Sequence, residues 1–256
     1  MIRIAASADV HFGPDSAGTL QACLGELGAE ADMLLLAGDL TKSGDPTEAE
    51  VLASELRSAS VPVVAVLGNH DYHSDRQDEV RAILERVGVT VLEGEHVVVE
   101  VDGRAVGVAG AKGFGGGFTG SSGTEFGEPQ MKAFIGHSRE LASNLERALL
   151  EIRDTDVRLA LMHYSPVRET LQGEAPEIFP FLGTYLLAEA VDRSGADLAL
   201  HGHAHHGSEK GMTPGGVNVR NVAMPVLRQP YAVFSFDPSS RNGDRPRAVA
   251  HIARGR

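Results

Sequence analysis

Three short apolar runs, Ile2 to Ala8, Met33 to Ala37 and Pro62 to Leu67, each give way to polar residues, and Asp9, Asp39 and Asn69 then stand 30 positions apart (39 − 9 and 69 − 39). That interval is about one strand, a crossover helix and a return. Gly18 to Ala31, Pro46 to Ala59 and Asp75 to Val87 carry helix-type apolar spacing between the runs. The first half therefore predicts a βαβα succession and a mainly parallel sheet. No sequence repeat accompanies the period, so it is architectural.

The second half mixes patterns. His96 to Val101 and Arg104 to Ala109 alternate like a hairpin, and Gln130 to Arg153 is a long amphipathic stretch. Strand-type runs follow at Val157 to Met162, Asp197 to Leu200, Val217 to Val222, Tyr231 to Phe236 and Ala248 to Ile252. An α/β chain with two packed mixed sheets flanked by helices accommodates all of these, and 256 residues suit a single domain spanning 1–256. Gly110 to Gly127 holds eight glycines with Phe114, Phe118 and Phe126 among them, which reads as an irregular surface excursion. It lacks the G-x-G-x-x-G order of a dinucleotide site. Residues 110–129 are expected to be a passive loop, with a lid over the active site as the alternative.

The balance of 23 Lys+Arg against 35 Asp+Glu, a net −12, repels polyanions and disfavours nucleic acid as a partner. Small phosphate substrates escape that argument, because bound cations can reverse the local field inside a cleft. Cys23 is the only cysteine, so no intrachain disulfide can form. The first residues lack the apolar length of a signal peptide, and no run approaches the roughly 20 apolar residues of a membrane span. Cytoplasmic residence and no membrane partner are the expectations.

Five short motifs rich in metal-ligating types stand where strands are expected to end: Asp9-Val10-His11, Gly38-Asp39, Gly68-Asn69-His70-Asp71, His163, and His201-Gly202-His203. Carboxyl ends of neighbouring parallel strands line one crevice, so these motifs converge. Carboxylate, amide and imidazole without thiolate suit Mn²⁺, Fe²⁺ or Zn²⁺, and suit neither calcium nor structural zinc. Seven ligands serve two divalent ions if one carboxylate is shared.

The set resembles the D-x-H, G-D, G-N-H-[DE], H and G-H-x-H signature of the calcineurin-like metallophosphoesterases, in order, from Asp9 to His203. Gly38-Asp39-Leu40-Thr41 with Ser43-Gly44 is similar to the bacterial cyclic-nucleotide-phosphodiesterase-like members. The resemblance implies the four-layer α/β/β/α fold and a binuclear centre. One metal would be held by Asp9, His11, Asp39 and His203, and the other by Asp39, Asn69, His163 and His201, with Asp39 as the bridge. His70 would stand beside the phosphate as proton donor, and Asp71 would orient it. The implied reaction is hydrolysis of a small phosphodiester by in-line attack of hydroxide held between the two cations. The alternatives are a phosphomonoesterase or protein phosphatase, then a DNA nuclease or a non-catalytic scaffold.

Other candidates have plainer readings. His96, His137 and His251 are expected outside the site, and His73, His205 and His206 flank the motifs without an assigned role. Asp32, Asp45, Asp75 and Asp78 sit where helix capping and turns explain them. Packing or a surface ion pair explains Tyr164 and Arg168.

Overall fold

Along the first strand, β1 (Ile2–Ser7), buried side chains alternate between two apolar layers: Ile2, Ile4 and Ala6 enter one, and Ala5 enters the other. A strand buried on both faces needs cover on both, and the rest of the chain supplies it. The structure is a computed structural model that describes residues 1–237 and the backbone of 249–251.

After β1 come α1 (Gln21–Glu30), β2 (Met33–Ala37), α2 (Pro46–Leu56), β3 (Val63–Val66), α3 (Gln77–Glu85) and β4 (Val89–Val91). Asp45 caps α2 by accepting the Thr47 amide at 2.8 Å, and Pro46 takes the first helical position, where no amide is needed. The middle of the chain forms β5 (Glu95–Val101), β6 (Arg104–Ala111), β7 (Gly117–Phe118), β8 (Ser121–Ser122), α4 (Pro129–Glu151) and β9 (Val157–Met162). The described remainder gives α5 (Phe179–Leu182), α6 (Tyr185–Ser194), β10 (Leu198–His201), β11 (Lys210–Met212), β12 (Asn218–Asn221), α7 (Met224–Leu227), β13 (Ala232–Phe236) and β14 (Val249–His251).

Two six-stranded sheets result, ordered β14-β13-β1-β2-β3-β4 and β11-β12-β10-β9-β6-β5. β1 to β4 are parallel, as are β6, β9, β10 and β12, while β13 pairs antiparallel with both β1 and β14, and β5 and β11 pair antiparallel at the edges of the second sheet. Leu35, Val64 and Val66 from the first sheet meet Val106, Val108, Leu159 and Leu161 from the second in one shared core. The opposite faces, Leu34, Leu36 and Ala65 on one side and Ala109, Ala160 and Met162 on the other, pack beneath helices. The layers are therefore α/β/β/α, two packed mixed sheets flanked by helices as expected.

The glycine-rich segment departs from expectation. Its first part is buried, from Gly110 to Phe118 with Phe114 half-buried, and only the part beyond Phe118 lies mostly in solvent. The Gly116 amide donates to the Pro180 carbonyl at 2.6 Å and the Gly117 amide to the Gly183 carbonyl at 2.9 Å. Backbone packs directly on backbone here, which explains the glycines without a surface excursion. Helix α6 is also absent from the sequence expectation. No described helix is long and apolar enough to cross a membrane. Ala248, Ile252 and the side chain of His251 lie outside the described residues.

Candidate metal centre

The parallel strands β1, β2, β3, β9 and β10 all end at one edge of the sandwich, and each is followed by a motif residue. The turns that follow them are tight. Asp9 (φ 57°), His11 (φ 43°), Asp39 (φ 51°) and His203 (φ 69°) all take left-handed backbone, and the other described non-glycine residues that do so are Asp75, Asp102 and Arg228. Each such residue costs on the order of 1–3 kcal/mol, a cost that concentrates at functional sites. Two glycines make the crowding possible. A Cβ on Gly68 would strike the Asp39 carboxylate, and one on Gly202 would strike that of Asp9.

Two ligand clusters share this edge. In the first, one donor atom each from Asp9, His11, Asp39 and His205 lies within 4.8 Å of the others. His205 Nε2 is 2.8 Å from Asp9 Oδ1 and 3.4 Å from His11 Nε2, and His11 Nε2 is 3.9 Å from Asp39 Oδ2. The second gathers Asp39, His163 and His203. His163 Nε2 lies 3.2 Å from Asp39 Oδ1 and 3.0 Å from Asn69 Oδ1, which brings the Asn69 amide into the same group. Asp39 thus presents one oxygen to each cluster.

Buried carboxylates normally sit against arginine or lysine. Asp9 and Asp39, 4% and 1% exposed, instead have only imidazoles and main-chain amides as close partners. Such a concentration of buried carboxylates and imidazoles, with no arginine or lysine in contact among the described residues, is what divalent cations would complete. The donor set fits two of them. The Ala37 carbonyl supports the fit: it lies 2.9 Å from His163 Nδ1 and receives its proton, so Nε2 faces the cluster.

The electrostatics follow from contact. Burial opposes charge on both Asp39 and His163, yet their proximity prevails: the imidazole rises to about 9 and the carboxyl falls well below the usual carboxylate range. Burial also lowers His11, and takes His203 down to about 3. His205 is raised by its hydrogen bond to Asp9.

The structure assembles Asp9, His11, Asp39, Asn69, His163 and His203 at one place, but not His201. His201 is fully buried, with Nδ1 2.7 Å from the Gly202 carbonyl and Nε2 2.9 Å from Thr170 Oγ1, so both ring nitrogens are engaged away from the clusters. His205 stands beside Asp9 where the sequence reading put His203, and His203 stands with His163 where that reading put His201. The signal was present: Gly202-His203-Ala204-His205 spells G-H-x-H in frame, whereas His201 precedes the glycine.

Asp71 also differs from expectation. Its buried carboxylate accepts from the Leu40, Thr41 and Gly68 amides at 3.1, 2.8 and 2.8 Å and from the Thr41 hydroxyl at 2.6 Å, and shows no bond to the His70 ring. The Lys42 carbonyl orients His70 instead, 2.7 Å from Nδ1, which leaves Nε2 3.9 Å from Asp39 Oδ2. Tyr164 packs its ring 4.4 Å from that of His203. Behind it, the buried Lys112 ammonium lies 4.9 Å from the ring centres of Tyr72 and Phe114 and 5.4 Å from that of Tyr164. Nothing in the sequence singled out Lys112.

The sequence profile described as calcineurin-like phosphoesterase matches residues 2–207. No curated protein sequence matches the chain. Among solved structures, the phosphopantetheinyl hydrolase PptH from Mycobacterium tuberculosis superposes with a TM-score of 0.63 at 16% identity, over 96% of this chain and 95% of that one. The TT1561 protein of Thermus thermophilus gives 0.57 at 18% identity, over 98% of each chain. At such identities the likeness is one of fold.

Proposed function

The chain belongs to the calcineurin-like phosphoesterase family, a metal-dependent hydrolase class, and from that premise we propose that it hydrolyses a small phosphodiester at a centre of two divalent ions. The observation that carries the binuclear reading is Asp39, which presents one oxygen toward His11 and the other toward His163. Asp9, His11, Asp39 and His205 would hold one ion; Asp39, Asn69, His163 and His203 would hold the other. When bound, such a pair supplies Lewis-acid polarisation of phosphoryl oxygens and water acidic enough to attack near neutral pH.

The chain's own residues do the rest. Lys42 fixes the His70 ring through its carbonyl, so that Nε2 faces the edge where Asp39 lies. From there His70 would give its Nε2 proton to the leaving oxygen as the bond from phosphorus to that oxygen breaks. Asp71 would act at a distance from the chemistry, as the clamp that locks the turns after β2 and β3 together. The diester preference rests on the likeness of Gly38-Asp39-Leu40-Thr41 to the cyclic-nucleotide-phosphodiesterase-like members. Mn²⁺, Fe²⁺ and Zn²⁺ are the candidate ions.

The test compares bis-p-nitrophenyl phosphate with p-nitrophenyl phosphate on purified protein loaded with each of these metals. Faster turnover of the diester is expected. Preference for the monoester would overturn the diester assignment, and no hydrolysis of either with any metal would overturn the enzymatic one.

A further inference from the structure

Arg228 closes the one-turn helix α7 in left-handed backbone (φ 55°, ψ 29°), a conformation that glycine adopts freely and arginine does not. It shares this feature with Asp9, His11, Asp39 and His203. Arg228 is exposed, and its guanidinium has no ion pair or hydrogen bond among the described residues, although the chain has acidic groups in excess. Arg220, by contrast, pairs with Glu209 at 3.6 Å.

What Arg228 faces is a cavity of about 320 Å³ lined by His205, His206, Gly207, Pro225, Val226 and Arg228. His205 belongs to the first ligand cluster, so the cavity adjoins the candidate centre on the Asp9 side. No carboxylate residue is among those that line it. The turn that carries Arg228 is also fixed to the centre. The Met224 amide donates to the Ala8 carbonyl at 3.0 Å, one residue before Asp9. Asn221, fully buried, donates to the Ala204 carbonyl at 2.8 Å, one residue before His205, and accepts from the Ala223 amide at 3.1 Å. Arg228 is thereby held in register with both segments.

A guanidinium fork matches an oxyanion in two parallel hydrogen bonds. We propose that this cavity is a subsite for a second oxyanion of the substrate, a phosphate or carboxylate borne by the group esterified to the scissile phosphate, and that Arg228 is the residue that recognises it. The proposal rests on the phosphoesterase reading and deepens it by naming a substrate class: small phosphoesters with a second anionic group.

The test is calorimetric binding to the manganese-loaded protein of three compounds: propane-1,3-diol bisphosphate, 3-phosphoglycerate and glycerol 3-phosphate. The first two carry a second oxyanion, as phosphate and as carboxylate, and the third carries none. At least one of them should bind about 10-fold or more tighter than glycerol 3-phosphate, and which one does so separates phosphate from carboxylate recognition. In Arg228→Gly the preference should fall to about unity while Tm is unchanged or higher, because glycine relieves the left-handed backbone. Arg228→Lys should keep only part of it. Equal binding of all three by the wild-type protein, or a preference that survives in Arg228→Gly, overturns the subsite. Loss of hydrolysis with every metal overturns the enzymatic reading instead, while the binding comparison still decides the subsite.

Discussion

Asp39 and His163, both buried to within 1% of complete exclusion, meet at 3.2 Å through Oδ1 and Nε2, and without a cation between them this contact stores a proton. With the imidazole at about 9, well above the ordinary 6.5 of histidine, His163 is charged at neutral pH in the metal-free protein. A raised folded-state value stabilises the fold fully below about pH 6.5 and loses that contribution as pH climbs through about 9. The Tm of chelator-treated protein should therefore decline across this window, and the decline should be smaller in His163→Gln. A metal ligand must be neutral imidazole, so loading should release this proton and bind more tightly as pH rises. Titration calorimetry in buffers of different ionisation enthalpy measures the release at pH 7.5. No proton release, with a flat Tm profile, would contradict the assignment.

Asp39→Asn should impair both metal sites together. Each cluster uses a different oxygen of this side chain, and an amide offers one oxygen and no charge. Changes to outer-shell partners alone cost roughly 10- to 100-fold in metal affinity, so loss of a shared ligand should cost at least that at each site. Metal analysis of the dialysed variant checks it. Two ions retained with wild-type affinity would remove Asp39 as a bridge.

Much of this arrangement is legible in the residues because apolar runs and one spacing govern it. Apolar runs at Ile2 to Ala8 and Val157 to Met162 mark strands that the structure buries on both faces, and the 30-residue spacing of Asp9, Asp39 and Asn69 places them at one edge. The rest is carried by short or irregular segments. Helix α6 follows a short 3-10 turn and α5; its ten residues bury Leu187, Ala188, Val191 and Ser194 at helical spacing between the Thr184 cap and the left-handed Gly195, a stretch too short to stand out beside its irregular neighbours. The glycines from 113 to 117 look like a loop in sequence because backbone packing leaves no side-chain pattern. The order of the histidines is legible as well: Gly202-His203-Ala204-His205 carries the G-H-x-H pattern in frame, and the hydrogen bond from His201 to Thr170 agrees with it.

His70 and Asp71 are neighbours with separable roles. His70→Ala should keep both metals and Tm yet lose turnover by roughly 10²–10⁴-fold, the usual worth of a positioned proton donor. Asp71→Ala leaves three buried amides and a hydroxyl without an acceptor, so it should cost about 3 kcal/mol or more in stability, read by denaturant unfolding. If Asp71→Ala were as stable as wild type, the clamp role would fail. Unchanged turnover in His70→Ala would exclude it as proton donor.

His205 and His201 are four residues apart and should behave in opposite ways. His205→Ala removes the imidazole that touches both Asp9 and His11, so one metal should be lost and hydrolysis should fall with it. His201→Ala instead opens a cavity beneath Thr170 and deprives a buried hydroxyl of one partner, so Tm should drop by an amount equivalent to about 1–3 kcal/mol. Both metals should remain in the folded fraction, because neither ring nitrogen of His201 faces a cluster. Metal content and Tm measured on the two variants side by side decide the assignment. If His201→Ala lost a metal and His205→Ala kept both, the ligand set would return to the one implied by the order of histidines before Ala204.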